Sequence, residues 1–361
     1  MNEVVRGRIS RLKSELDVLG LDAAVIMDRE NIIYFSMLTD IEAGSIIIPR
    51  VGDPVFICLW LDARHVREVS GMNVIPYFFP EENVSKKTAD VINGLGIDSP
   101  RLGFTRYFIS LKDFQCLRDY VNGVYFGDIA ETCYKIRSIK DENEVALISK
   151  ASEFCKAGME AAISFVKPGV RETDVLAEAE YAMRKAGSEG PSFRMQVLRH
   201  YRQQLVHPYA GEYYLNDNEP VVIHLGATYK GYTSKMCRTV FLGNVKTETK
   251  KIYDVLTRAQ ELAIEAAKPG ATAGEVYEAA YKVVHDNGYA KLFLPTIGYG
   301  VGIRQSEFYP IISKDSGQIL QENMVIDLLL PTIYLANVGG PRITDTILIK
   351  KEGCINLTGK D

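Results

Sequence analysis

No Cys-x-x-Cys pair occurs in this chain, and its six cysteines, Cys58, Cys116, Cys133, Cys155, Cys237 and Cys354, stand far apart. That spacing argues against a zinc knuckle or a disulfide framework and for reduced thiols. Long apolar runs are missing too: none approaches the roughly 20 residues that span a bilayer. The opening Met1-Asn2-Glu3 lacks the basic-then-apolar layout of a secretion signal, so a cytoplasmic protein is expected. There is no basic excess either. Forty-two Lys and Arg face 46 Asp and Glu, a net charge of -4, which excludes an extended basic face for nucleic acid. Histidine is scarce, with five in 361 residues, so a histidine inside an apolar pattern calls for a reason.

One such histidine lies in the stretch VVIHLGATYKGYTSKMCRTV, residues 221–240. The pattern predicts two strands around a Tyr-Lys-Gly turn, with side chains alternating between faces. Val222, His224 and Gly226 then share one face of the first strand, and Lys235 and Cys237 share one face of the second. A histidine and a lysine in such a setting call for a reason, since apolar residues are the norm there.

A chain of 361 residues is long for one core, so two domains are expected, 1–130 and 131–361. The first alternates helix-like and strand-like segments: a helix over 4–19, strands at 23–27, 45–49, 54–60, 74–77 and 101–104, and a helix over 86–94. The second opens with a long helix from an N-cap at Ser138, with Ile148, Cys155, Met159 and Ile163 as its buried stripe, ending at a Lys-Pro-Gly breaker in 166–170. The breaker recurs. Lys167, Pro168, Gly169, Val175, Ala179 and Gly187 match Lys268, Pro269, Gly270, Val276, Ala280 and Gly288 at a constant shift of 101 residues. Six identities in register predict an internal duplication. The fold class is therefore α/β (α+β), a small α/β domain followed by a pseudo-twofold domain with an antiparallel sheet and outer helices.

The hairpin, TIGYGVG at 296–302, MVIDLLLPTIY at 324–334 and GGPRITDTILI at 339–349 resemble the pita-bread peptidases. That group includes proline dipeptidases, aminopeptidase P, methionine aminopeptidase and the metal-free creatine amidinohydrolases. LGLDAAVIMDRENIIYFSML at 19–38 is similar to the amino-terminal domain of the prolidase and creatinase branch. The metal-dependent members hold two divalent ions with two Asp, one His and two Glu, a set suited to hard cations. The resemblance carries those five positions onto His224, Lys235, Tyr299, Leu330 and Thr344. None retains the family's ligand, so neither metal nor another cofactor is expected.

The resemblance also makes His207, seventeen residues before His224, the counterpart of a catalytic histidine. Imidazole suits acid–base work near neutrality. A second family histidine falls at Ser306, beside a retained Glu307. The glutamates that assist the histidine of creatine amidinohydrolases fall at Cys237 and Leu330, which argues against a creatinase proper. Cys237 reads as a buried thiol before it reads as a nucleophile or zinc ligand. Arg342 is expected to pair with a strand neighbour or Asp345; Glu307 and Asp345 are the expected internal partners of Lys235. Tyr299, Tyr232 and Arg304 are candidate lining residues. The substrate-binding set is thus His224, Lys235, Tyr299, Glu307 and Arg342, around His207.

Three functions compete: a metal-independent hydrolase of a C–N bond in a small anionic substrate, a ligand-binding pseudoenzyme without turnover, and a Xaa-Pro metallopeptidase with atypical ligands. A homodimer binding a small molecule is expected, without nucleic acid or membrane.

Overall fold

A computed structural model describes residues 1–41, 43–105 and 110–359. The chain divides into two compact units, Met1–Arg137 and Ser138–Asp361. The first runs α1 (Glu3–Val18), β1 (Ala23–Ile26), α2 (Arg29–Ser36), β2 (Gly44–Pro49), β3 (Val55–Leu59), α3 (Ala63–Ser70), β4 (Asn73–Tyr77), α4 (Val84–Asn93), β5 (Arg101–Phe104), α5 (Leu111–Tyr120), β6 (Tyr125–Asp128) and α6 (Ala130–Ser138). Its mixed sheet has the order β4-β3-β2-β1-β5-β6. Each strand expected from the sequence lies within a residue or two of its place. All six residues of β2 are buried, which is why GSIIIP reads as an uninterrupted apolar run.

The second unit runs α7 (Glu142–Phe165), α8 (Glu172–Ala186), β7 (Gly190–Pro191), β8 (Gln196–Arg199), β9 (Pro220–Tyr229), β10 (Tyr232–Phe241), α9 (Thr247–Ala266), α10 (Ala273–Asp286), β11 (Thr296–Gly300), β12 (Glu307–Ser313), β13 (Val325–Leu330), β14 (Ile343–Lys350) and β15 (Gly353–Asn356). Its nine-stranded sheet has the order β12-β11-β13-β14-β10-β9-β7, with β15 on β14 and β8 on β9. Helix α7 does not start from Ser138. Its cap is Asp141, whose carboxylate accepts from Glu144 N at 2.9 Å while Glu144 accepts from Asp141 N at 3.0 Å, a capping box. Ile163 is 45% exposed and leaves the stripe that Ile148, Cys155 and Met159 form.

The duplication is visible in hydrogen bonds. After α7, Gly169 N donates to Leu215 O at 2.9 Å and Leu215 N to Val170 O at 2.8 Å. After α9, Gly270 N donates to Leu320 O at 2.9 Å and Leu320 N to Ala271 O at 2.8 Å. Gly169 and Gly270 take φ of 85° and 89°, a left-handed conformation that glycine adopts without a side-chain clash. The same breaker makes the same turn twice.

Alternation along the strands gives this sheet two faces. Val221, Ile223, Leu225 and Met236 pack into a core with α7 and α8. Ile326, Leu328, Leu330, Ile343, Ile347 and Ile349 pack into a second core with α9 and α10. Residues of the other parity point to the opposite face, where the polar residues of the hairpin gather.

Candidate functional site

Register assembles the site. Gln196 on β8 lies opposite His224, His224 opposite Cys237, Cys237 opposite Thr344 and Thr344 opposite Leu329, one row across five strands. Beside it run Gly226 and Lys235, then Thr346, opposite Asp327. On the other side Leu198, Val222 and Thr239 align, and Thr239 Oγ1 exchanges hydrogen bonds with Arg342, 2.9 Å from its N–H and 2.9 Å to its carbonyl. His224, Lys235, Cys237 and Arg342 therefore share one face, the one away from the helices. Gly226 keeps that face accessible to an aromatic cover: a Cβ there would lie 2.3 Å from the Phe193 ring. Phe193 instead packs on His224, ring centroids 4.7 Å apart.

Lys235 is 3% exposed, and its ammonium forms an ion pair with the carboxylate of Asp327, which is fully buried. Nζ also donates to Ser306 Oγ at 3.1 Å, and Tyr299 N donates to Asp327 Oδ1 at 2.6 Å. The partner expected for Lys235 is thus corrected. Asp345 has the opposite parity on β14 and turns to the helix side, where it accepts from Arg238 at 2.6 Å and from Thr358 at 2.7 Å. Glu307 is buried, with Oε1 accepting from Arg304 N at 3.4 Å. A Cβ on Gly302 would come within 2.8 Å of Glu307 Oε1 and 3.4 Å of Lys140 Cε.

Arg342 is 8% exposed and makes no ion pair with any described residue. Its Nη2 donates to Gln203 O at 2.6 Å, and Nη1 lies 3.4 Å from Gln196 Oε1. The expected pairing with Asp345 does not form, because Asp345 lies on the other face. Among the described residues, Nε of Arg342, Oγ1 of Thr344 and Nε2 of His224 are buried without a hydrogen-bond partner. His224 as a residue is half-buried, and its Nε2 is buried. Burial holds His224 well below the ordinary imidazole pKa, and the charges of Lys235, Arg342 and His207 add to the effect. Burial also pushes the Cys237 thiol up to about 12 despite the nearby Arg342. The neutral thiol dominates, which fits a packing role and not a thiolate nucleophile.

His207 is exposed, in the loop that follows a 3₁₀ turn over His200–Gln204. The loop backbone is held from several sides. Glu172 is fully buried and accepts from Arg199 N at 2.9 Å, Gly211 N at 3.0 Å and Arg202 Nε at 3.0 Å. Arg194 donates to His207 O at 2.9 Å, and Gln196 Nε2 to Pro208 O at 3.2 Å. His207 is close enough for its charge to bear on His224.

Two further expectations change. Leu330 packs into the α9–α10 core, whereas Leu329, one residue earlier, stands opposite Thr344 on the site face. Tyr232 is buried on the helix side, where its hydroxyl lies 3.1 Å from Glu144 Oε1, and it does not line the site. Tyr299 is half-buried with its ring set edge-on to Phe308. Asp327, Gln196, Gln203 and Glu172 are the residues sequence reasoning misses. The signal for Asp327 is a lone acid in the apolar strand VIDLLL.

No three His, Cys, Asp or Glu side chains among the described residues group as a cation site, and Asp327, the carboxylate facing the row, is neutralised by Lys235.

An antiparallel sheet backed by two duplicated helix pairs, with polar groups on its opposite face, is the pita-bread fold of a class of hydrolases. The Metallopeptidase family M24 profile matches residues 146–351, and the Creatinase/Prolidase N-terminal domain profile matches 8–139. The chain is 31% identical to the Xaa-Pro dipeptidase of Pyrococcus horikoshii over 357 residues, covering 99% of this chain and 98% of that protein. The crystal structure of the prolidase from Pyrococcus horikoshii superposes with a TM-score of 0.90 at 31% identity, covering 98% of this chain and 99% of that one. The Xaa-Pro dipeptidase from Bacillus anthracis gives a TM-score of 0.92 at 26% identity, covering 99% and 98%. The chain belongs to the M24 metallopeptidase family, in the branch with a creatinase/prolidase amino-terminal domain.

Proposed function

We propose that this chain keeps the dipeptidase scaffold without its dinuclear metal, and acts on a C–N bond of a small anionic substrate with His207 as acid and base. The Lys235–Asp327 ion pair carries this reading. A lysine ammonium in the place of a metal carboxylate repels a dication, and its own partner acid is already neutralised. Neither Leu330 nor Leu329 beside it offers a lone pair, and Thr344 offers only a hydroxyl.

In such a reaction His207 accepts a proton from the attacking water as the C–O bond forms, and returns it to the nitrogen as the C–N bond breaks. The anchoring of its loop by Glu172, Arg194 and Gln196 supports a fixed position beside the site. A second reading, ligand binding without turnover, is favoured by one observation. Among the described residues no group hydrogen-bonds the His207 ring to orient it.

The test is hydrolysis of Leu-Pro and Met-Pro by protein stripped with a chelator and then supplied with manganese, cobalt or zinc. No metal-dependent cleavage is expected, because no metal-bound hydroxide forms. Cleavage restored by metal, with His207→Ala as the control for contaminants, would overturn the reading.

A further inference from the structure

Three polar atoms on one patch of the sheet are buried and unpartnered among the described residues: Arg342 Nε, Thr344 Oγ1 and His224 Nε2. They lie on one face of the sheet, on strands about 10 Å apart with β10 between them. His224 and Thr344 lie opposite the same residue, Cys237, from its two flanking strands. Arg342 precedes Thr344 by two residues, on the same face of the chain, and its guanidinium reaches Gln196, the cross-strand partner of His224. Leaving buried polar atoms without partners costs about 1–3 kcal/mol each, so three on one patch call for a common partner.

Charge decides what that partner is. Lys235 is cancelled by Asp327. His224 is held neutral by its burial. Among the described residues Arg342 makes no ion pair, with Nη2 committed to the Gln203 carbonyl and Nε without a hydrogen-bond partner. A guanidinium N–H, a hydroxyl and an imidazole nitrogen offer up to three donors around one positive charge. That set matches a single carboxylate and falls short of a phosphate dianion, which calls for more donors and more charge.

We propose that Arg342, Thr344 and His224 together receive the carboxylate of a small monocarboxylate ligand, with Lys235 taking no direct part. This deepens the functional reading above and rests on it for the assignment of this face as the ligand site. It removes Lys235 from the substrate-binding set expected from the sequence.

The experiment uses the full chain, freed of metal and checked by elemental analysis, with acetate as probe, acetamide as its neutral isostere and inorganic phosphate as the dianion. Binding is read by calorimetric titration and by the rise in melting temperature. Acetate is expected to bind, acetamide not, and phosphate no better than acetate. Thr344→Val, which preserves shape, should weaken acetate about tenfold, the effect of one charge-assisted hydrogen bond. Arg342→Lys should weaken it by at least that much. The paired change Lys235→Met with Asp327→Leu should leave affinity within about threefold, since the pair contributes no net charge. Equal binding of acetate and acetamide, tighter binding of phosphate, indifference to Thr344→Val, or loss with the Lys235/Asp327 pair would each overturn the proposal. No acetate binding to metal-free protein would sink the carboxylate receptor and leave metal independence standing. Two metal ions retained in the same sample would sink metal independence whatever acetate does.

Discussion

Lys235 and Asp327 depend on each other. Both are buried, and removing one leaves the other charged in a medium that solvates it poorly. Lys235→Met alone should cost about 3–5 kcal/mol, and Asp327→Leu alone a similar amount, whereas the double change should recover most of the loss. A thermal denaturation cycle on the four proteins checks this, and additive losses would contradict it. His224 sets a second test. Its folded-state pKa is depressed, so below about pH 6.5 the unfolded chain takes up a proton that the folded chain resists. Stability is then fully present above pH 6.5 and falls as pH drops toward the folded pKa, by at most about 1.4 kcal/mol per pH unit. The melting temperature of wild type should fall more steeply than that of His224→Gln between pH 6.5 and 5; parallel curves would contradict the assignment. At this scale the sequence is half legible. A lysine in an apolar hairpin announces a buried partner, and so does a lone Asp in VIDLLL. Which acid meets the lysine is set by strand parity, and parity sends Asp345 to the other face while leaving Asp327 beneath Nζ.

The elements divide in the same way. The hairpin is legible because ten-residue alternation and a Lys230-Gly231 turn define it, and the structure pairs Tyr229 with Tyr232 across that turn. Both turn residues have positive φ, 45° and 78°, as a type I′ turn requires. The Lys-Pro-Gly breakers are legible because each ends a helix and begins a left-handed turn. The loop after β8 is not legible, since its order comes from distant groups. Glu172 begins α8 yet holds residues 199, 202 and 211. Glu172→Gln should therefore raise amide hydrogen exchange across 199–211 at least tenfold, by loss of a charged acceptor worth more than about 1.4 kcal/mol, while the interior of α8 keeps its protection. Unchanged exchange in the loop would show that Arg194 and Gln196 suffice to hold it. The register of β13 is the other lesson. The resemblance places Leu330 at a ligand position, and in the structure Leu330 packs into the helix-side core while Leu329 stands opposite Thr344 on the site face.

At the scale of the molecule, the two-domain architecture follows from ordered sequence blocks that extend through the chain, and the M24 scaffold carries them at 31% identity to a Xaa-Pro dipeptidase. No helix among the described residues is long and apolar enough to cross a membrane. On the site face a lysine–aspartate ion pair, an arginine without an ion pair among the described residues and a histidine held below the ordinary imidazole pKa stand together. The family by itself suggests a metallopeptidase; the function proposed above, argued from these side chains, needs no metal. The most direct test is the metal content of the full chain after dialysis against manganese, cobalt and zinc, measured by elemental analysis. The account predicts no stoichiometric divalent ion, and two equivalents retained per chain would contradict it.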